Sequence, residues 1–240
     1  MIARRTFEAI ARQNWSAAAV ELLIVVIGIF LGLQVSSWYE ERKEAGLEST
    51  IVDRLEFDFV EILDEIEEAL DSHQGVIDGL DRLHAALDSG SIIESDKSSV
   101  QYSLENVLNV DTGGGKSATY QEIVASGRLR LLQNNDLVSA LSEYQERFDN
   151  AGRLFSEFRG MQLQYEKDFH QYISFDRPRR FEPRGFMPPA VSSFDFDAMR
   201  QDPDFRLALS RLTAFQIYFQ IWHMRTHQAA TAVLQELEER

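Results

Sequence analysis

Two histidines, His223 and His227, stand four residues apart in a helical run. At that spacing one helix face can offer two imidazoles to a metal. The zinc-protease pattern places a glutamate directly after the first histidine, but Met224 stands there. A third ligand would have to come from His73, His84, His170 or a carboxylate. The pair reads instead as two partly exposed histidines flanking an apolar stripe at Trp222. A second candidate is the glycine-rich run at 113–117 (GGGKS). A phosphate loop needs a glycine at 110, where Val110 stands, and a strand leading into it. The run therefore reads as a flexible linker into the next helix. The third candidate is the carboxylate-dense segment 56–71. Di-iron bundles carry Glu-x-x-His on facing helices, a pattern missing here, so the segment reads as a solvated acidic face. No Ser–His–Asp arrangement can be assigned from spacing. The expectation is no catalytic residue, no metal site and no cofactor, and an enzyme is the least favoured class.

Glu21 poses a different problem, because it sits inside the apolar run 20–38 (VELLIVVIGIFLGLQVSSW). At about 100° per residue, Ala17, Glu21, Val25, Gly28 and Gly32 fall on one narrow stripe of a helix. Gly28-x-x-x-Gly32 is the spacing that lets two membrane helices approach closely. A carboxyl group at this depth is costly against lipid and is usually paired or turned inward. One reading is a helix–helix seam, in a homodimer or with another membrane protein. The other is a snorkelling or protonated carboxyl beside incidental glycines.

The element that must carry this stripe is a transmembrane helix. Trp15 and Trp38 bracket the run about 34 Å apart at the α-helical rise. A bilayer core is about 30 Å thick, and indole rings favour its two interfaces. A cleaved export signal fits less well, since the apolar core is long and no A-x-A site follows it. A buried soluble helix would show a polar face. Arg4, Arg5 and Arg12 precede the span, and Arg42 and Lys43 follow it. By the positive-inside rule this favours a cytoplasmic tail at 1–14, a span at 15–38 and an exported body at 39–240. The expected topology is single-pass, with the N-terminus cytoplasmic and the bulk outside.

The residues of this span resemble the opening signature of an uncharacterised family of bacterial single-pass membrane proteins. The features in common are Glu21, Gly28–Ile29, Gln34, Trp38 and Glu41-Arg42-Lys43. Val20 and Leu22 depart from the family's Gly and Ile at those places. A second block, 119–144 (TYQEIVASGRLRLLQNNDLVSALSEY), is similar to the family's second recurrent block, with Ser126–Gly127 at its centre. The resemblance implies a short inner tail, one span and an exported helical domain of unknown function. It supplies no catalytic residues.

Composition bounds the exported body. The chain of 240 residues carries a net charge of −15 and no cysteine, which excludes disulfides and thiol chemistry. The acid excess lies beyond the span and repels phosphate backbones, so no nucleic-acid partner is expected. All five prolines lie between 178 and 203, leaving long helices before and after. Apolar positions 47, 51, 55, 59, 62, 66, 70, 76, 80, 83 and 87 make one stripe, closed by Ser89–Gly90. Residues 38–88 would form a rod of about 75 Å, with Gly46, Gly75 and Gly79 as places to bend. Thr119 and Glu122 suggest a capping box, and Ser126–Gly127 a helix stop. A helix starting near Asn134 has its stripe at 137, 141, 144, 148, 151, 155, 158, 165, 169 and 172. The last helix opens with Asp202 and Pro203 and has its stripe at 208, 212, 215, 219, 222, 230, 233 and 237.

The expected fold is therefore all-α: an N-terminal transmembrane helix, then an elongated antiparallel helical bundle with short accessory helices and no strands. An up-down-up chain order would bring the segment 174–202 back to the bilayer. There Arg177, Arg179, Arg180 and Arg184 alternate with Phe175, Phe181, Phe186 and Met187. The arginines are candidate lipid-headgroup contacts. The plainer reading is a proline-rich loop pairing its arginines with the acidic bundle. The functional expectation is a membrane-anchored scaffold or interaction protein. The alternative is an extracytoplasmic small-ligand sensor signalling through a partner membrane protein.

Overall fold

The computed structural model describes residues 15–176 and 190–239. It is all-α apart from one small hairpin. The elements are α1 (Trp15–Ser89), α2 (Lys97–Asn106), α3 (Ala118–Ala125), α4 (Asn135–Gln162), α5 (Glu166–His170), β1 (Ile173–Phe175), β2 (Val191–Phe194), α6 (Phe196–Gln201) and α7 (Pro203–Glu238). The chain divides into two units, Met1–Ile51 and Val52–Arg240, and α1 contributes to both.

In the first unit the helix between Leu22 and Leu33 carries no charged or polar side chain on any face. Every large apolar side chain described from Val20 to Trp38 is exposed. A helix satisfies its own backbone hydrogen bonds, so such a segment is stable where no water reaches it.

In the second unit the three long helices meet through heptad seams. On α1 the buried positions of the seam are Leu55, Phe59, Ile62, Ile66, Ala69, His73, Val76, Leu80, Leu83 and Leu87, in alternating steps of four and three, with Ile77 and Ala86 buried beside it. On α7 they are Phe205, Leu209, Leu212, Gln216, Phe219, His223, Thr226, Ala230, Val233 and Leu237. Both seams carry polar residues that an apolar count passes over.

Cross-contacts fix the directions. Asp88 meets Arg206, Gln74 meets Gln220 and Glu67 meets His227, so α7 runs antiparallel to α1. Phe158 meets Phe215, Phe155 meets Phe219 and Asn134 meets Glu236, so α7 is antiparallel to α4 as well. The helices α1 and α4 therefore run parallel, which corrects the up-down-up order. The returning leg is the stretch between them. It passes from Asp96 on Arg82, through Ser103 on the Val76 carbonyl, to Ser117 on Asp58 and Glu122 on Arg54. Apolar side chains alone do not reveal this leg, because half of it is not helical.

The hairpin was not expected either. Its strands, of three and four residues, are too short to show a period of two. They pair antiparallel, Ile173 with Phe194 and Ser174 with Ser193. Glu105 accepts from the Val191 amide at 2.8 Å, tying the hairpin to α2. Ile173 and Val191 join one core cluster with Val76, Leu80, Leu83, Leu87, Phe169 and Phe205. The hairpin thus sits at the Leu87 end of the second unit, away from Val52, where the up-down-up order had not placed it.

The helix ends at Ser89, Asn134, Ser126–Gly127 and Asp202 fall where the sequence puts them. The Asn134 side chain accepts from Asp136 and Leu137 amides, and Asp202 accepts from Asp204. The capping box does not form. Ser117 caps α3 by accepting from the Tyr120 amide, Thr119 is buried, and Glu122 pairs with Arg54. The long helix from Asn134 also ends earlier than its stripe suggests. It gives way to a 3-10 turn at Leu163–Tyr165 before α5.

Gly75 and Gly79 do not bend α1, which runs through both without a break. They are small because α2 lies on them. A Cβ at Gly75 would come 3.2 Å from the Tyr102 ring. A Cβ at Gly79 would overlap the Ser103 hydroxyl and the Ser99 carbonyl. Gly79→Ala should therefore lose about 2 kcal/mol or more, despite alanine's better helix propensity. Gly152 on α4 has nothing within 4 Å of the same position, so Gly152→Ala should gain about 0.5–1 kcal/mol. Urea denaturation of the detergent-solubilised chain, followed by circular dichroism, reads both. Equal effects would refute the close-approach role of Gly79.

Candidate functional site

The polar groups of the bundle converge on the irregular run 107–117, which begins at the C-cap of α2 and lies against α1, α4 and α7. Asp111, Thr112 and Lys116 are exposed, but the carbonyls that turn toward the helices need donors. The helices supply them. Gln162 Nε2 donates to the Val107 carbonyl at 2.9 Å, and Gln216 Nε2 donates to the same oxygen at 2.7 Å. Gln216 also reaches the Asn109 carbonyl at 3.3 Å. His223 Nε2–H donates to the Asp111 carbonyl at 2.9 Å. The Tyr144 hydroxyl donates to the Gly115 carbonyl at 2.7 Å. At the far end, Asp58 accepts from the Ser117 hydroxyl at 2.7 Å and the Thr119 amide at 3.0 Å.

These donors hold one another in place. An amide oxygen can only accept, so His73 Nδ1–H donates to Gln216 Oε1 at 2.6 Å. That contact turns the Gln216 NH₂ toward the run. The rings of His73 and His223 stack with centroids 5.2 Å apart, against Phe155 and Phe219. The run must also lie close to α1, and its glycines permit this. Gly113 and Gly114 have φ of +30° and +74°. A Cβ on Gly113 would meet Ala69 at 2.5 Å, and one on Gly114 would meet Ile66 at 2.7 Å.

This placement corrects two expectations. The glycine run is a packed strap rather than a flexible linker, and Lys116 pairs with Asp149 at 2.7 Å. His223 is buried rather than partly exposed, while His227 reaches Glu67 at the surface, 3.2 Å away. The two histidines thus have different partners and do not converge. Among the described residues no group of three His, Asp or Glu is placed to hold a metal ion. The acidic run is mostly solvated, but Asp58 within it caps α3, a role its composition concealed.

Burial pushes the His223 imidazole down to about 4, against the opposing pull of the Asp111 carbonyl. Burial likewise lowers His84 and His170, with Asp81 and Glu166 opposing. Burial also raises the Tyr144 hydroxyl, which stays a donor. The arrangement can hold backbone in place and respond to protons. Threonine hydroxyls lie 3.5 Å from imidazole nitrogens at Thr231–His227 and Thr213–His84, and both donate to their own helix carbonyls.

In the first unit, Glu21, Val25, Gly28 and Gly32 lie on α1, and added Cβ atoms at the two glycines meet nothing within 4 Å. Trp15 and Ala17 belong to the same helix. Trp38 is exposed, with the Arg42 guanidinium 4.9 Å from its ring centroid. The segment is long and apolar enough to cross a membrane, with a mean hydropathy of 2.3 and none of the scored window buried. Arg177, Arg179, Arg180 and Arg184 lie outside the described residues. No known family, curated protein or solved structure matches the chain.

The depressed His223 has a direct consequence for stability. The unfolded chain takes up this proton near 6.5, the folded chain only near 4. Its contribution is therefore complete above pH 6.5 and is lost as pH falls toward 4, by roughly 3 kcal/mol in all. Denaturation midpoints measured from pH 7.5 to 4 should fall across that window. His223→Gln, which keeps a donor for Asp111 without a titrating ring, should flatten the curve. An unchanged slope in that variant would remove His223 from the account.

Proposed function

We propose that this chain is a bacterial inner-membrane protein of the single-pass kind it resembles, and that its helical bundle works outside the cytoplasm as an interaction scaffold. The observation that carries this reading is the contrast between the two units. One carries a span-length run of exposed apolar side chains, broken in its first turns only by Glu21. The other uses its buried polar groups to hold its own strap. The basic residues Arg4, Arg5 and Arg12 before the span support a cytoplasmic N-terminus. The stacking of Arg42 on Trp38 supports an interfacial position for that tryptophan. The stripe Ala17, Glu21, Val25, Gly28 and Gly32 supports a lateral partner in the bilayer, either a second copy or another membrane protein.

A sensor is the second reading, favoured by one feature. A cleft of about 590 Å³ opens beside the hairpin, lined by Tyr172, Phe194, Asp195, Phe196 and Asp197 among others. Thermal shift against a panel of small amines and polar metabolites reads this alternative. A rise in midpoint abolished by Asp195→Asn would support it, and a flat panel would remove it.

The absence of native cysteine makes topology simple to test, since any introduced thiol reports alone. The intact chain should stay in the membrane pellet without detergent. A thiol at Ser91→Cys should react with an impermeant maleimide in spheroplasts, and one at Gln13→Cys should not. Gly28→Cys should cross-link to a dimer if the lateral partner is a second copy. Recovery of the intact chain in the soluble fraction would overturn the proposal, and reversed labelling would overturn its orientation.

A further inference from the structure

The helix α7 carries a second seam. One or two positions on from the buried one, Leu207, Ser210, Ala214, Ile217, Ile221, Met224 and Gln228 recur in the same alternating steps of three and four. This seam points outward. Leu207, Ile217, Ile221 and Met224 are 51%, 40%, 37% and 49% exposed. Between Arg211 and Arg225 the helix has no Asp, Glu, Lys or Arg at all. An outward helix face in water is normally polar. The outer face of α1 is mostly acidic, with Glu61, Asp64, Glu68 and Asp71 exposed beyond Phe57 and Val60. The outer face of α7 is not. Beside it, Tyr218 stacks on Phe158 of α4 at 5.6 Å, and exposed Met161 extends this wall.

The rim charges indicate what fits there. Arg211 and Arg225 lie on the same edge of the seam, two heptads or about 21 Å apart. Both are exposed, and neither forms an ion pair among the described residues. Arg225 rests on the Trp222 ring at 4.8 Å. These are free cations on a chain whose net charge is −15. Self-pairing through this face is disfavoured. A two-fold antiparallel arrangement centred on Tyr218 would oppose Arg211 of one copy to Arg225 of the other. A parallel one would set Arg211 beside Arg206.

We propose that the outer face of α7 docks an amphipathic helix of another protein, with an apolar seam and carboxylates along its edges. Ile217, Ile221 and Met224 supply the apolar contact, Tyr218 and Phe158 the wall, and Arg211 and Arg225 the selection for acidic flanks. The inference rests on the scaffold reading and gives its partner a chemistry.

The test uses two synthetic helical peptides of about three heptads. Both have leucine at the seam positions, one with glutamate and one with lysine at the flanks. Each is labelled and titrated by fluorescence anisotropy against the intact chain in nanodiscs. The glutamate peptide should bind at least about tenfold more tightly, and its affinity should fall with salt. Arg211→Glu with Arg225→Glu should invert the preference. Ile217→Ser with Ile221→Ser should abolish binding of both peptides at an unchanged thermal midpoint. Equal affinity for the two peptides, no binding of the glutamate peptide, or indifference to both double variants overturns the proposal. So does self-association of the chain in competition with peptide, which would make the occupant a second copy. None of these results bears on membrane topology, so a failure here leaves the scaffold reading to its own test.

Discussion

A stretch of non-helical backbone packed against three long helices is the constraint on which the second unit depends. Each carbonyl of the strap that loses water must find a donor, and an unmet one costs on the order of 1–3 kcal/mol. The chain meets this by placing Gln162, Gln216, His223 and Tyr144 at seam positions of α4 and α7. His73 on α1 orients Gln216, which carries the strap, and itself lies 3.4 Å from the Asp111 carbonyl. The strap thus joins the three long helices by directional contacts, where leucines alone would tolerate a sliding register.

This explains what the sequence revealed and what it concealed. Long helices, their caps at Asn134 and Asp202, and the stop at Ser89 follow from local chemistry and were legible. The apolar stripe on α1 was traced from 70 to 76 across His73, because a histidine does not count as core. On the last helix the stripe was drawn through Phe215 and Trp222 for the same reason. The structure centres it on the adjacent Gln216 and His223. A one-residue displacement of this kind moves the face by about 100° and hides the polar network entirely. Strict heptad spacing, tested without regard to polarity, would have recovered it.

The direction of the chain was missed for a related reason. A return leg built from one short helix, an extended strap and another short helix leaves no long periodic signal. An extended residue covers about twice the length of a helical one, so few residues suffice to travel back along α1. The long apolar N-terminal helix, by contrast, was legible as a helix. Apolar length, flanking tryptophans and a stripe of small residues are properties of a single helix and need no tertiary partner to be read.

The parallel course of α1 and α4 has a bearing on biosynthesis. Both present their seams to α7, the most C-terminal of the three. Until α7 has left the ribosome, two rows of apolar side chains and the strap's carbonyls lack the surface that completes them. Contacts between α1 and α7 join residues as far apart in sequence as Glu67 and His227, and closing such loops is slow. A nascent chain in that state is prone to aggregation. Under the membrane-anchored reading proposed above, the apolar N-terminal helix would tether it while the closing helix is still being made.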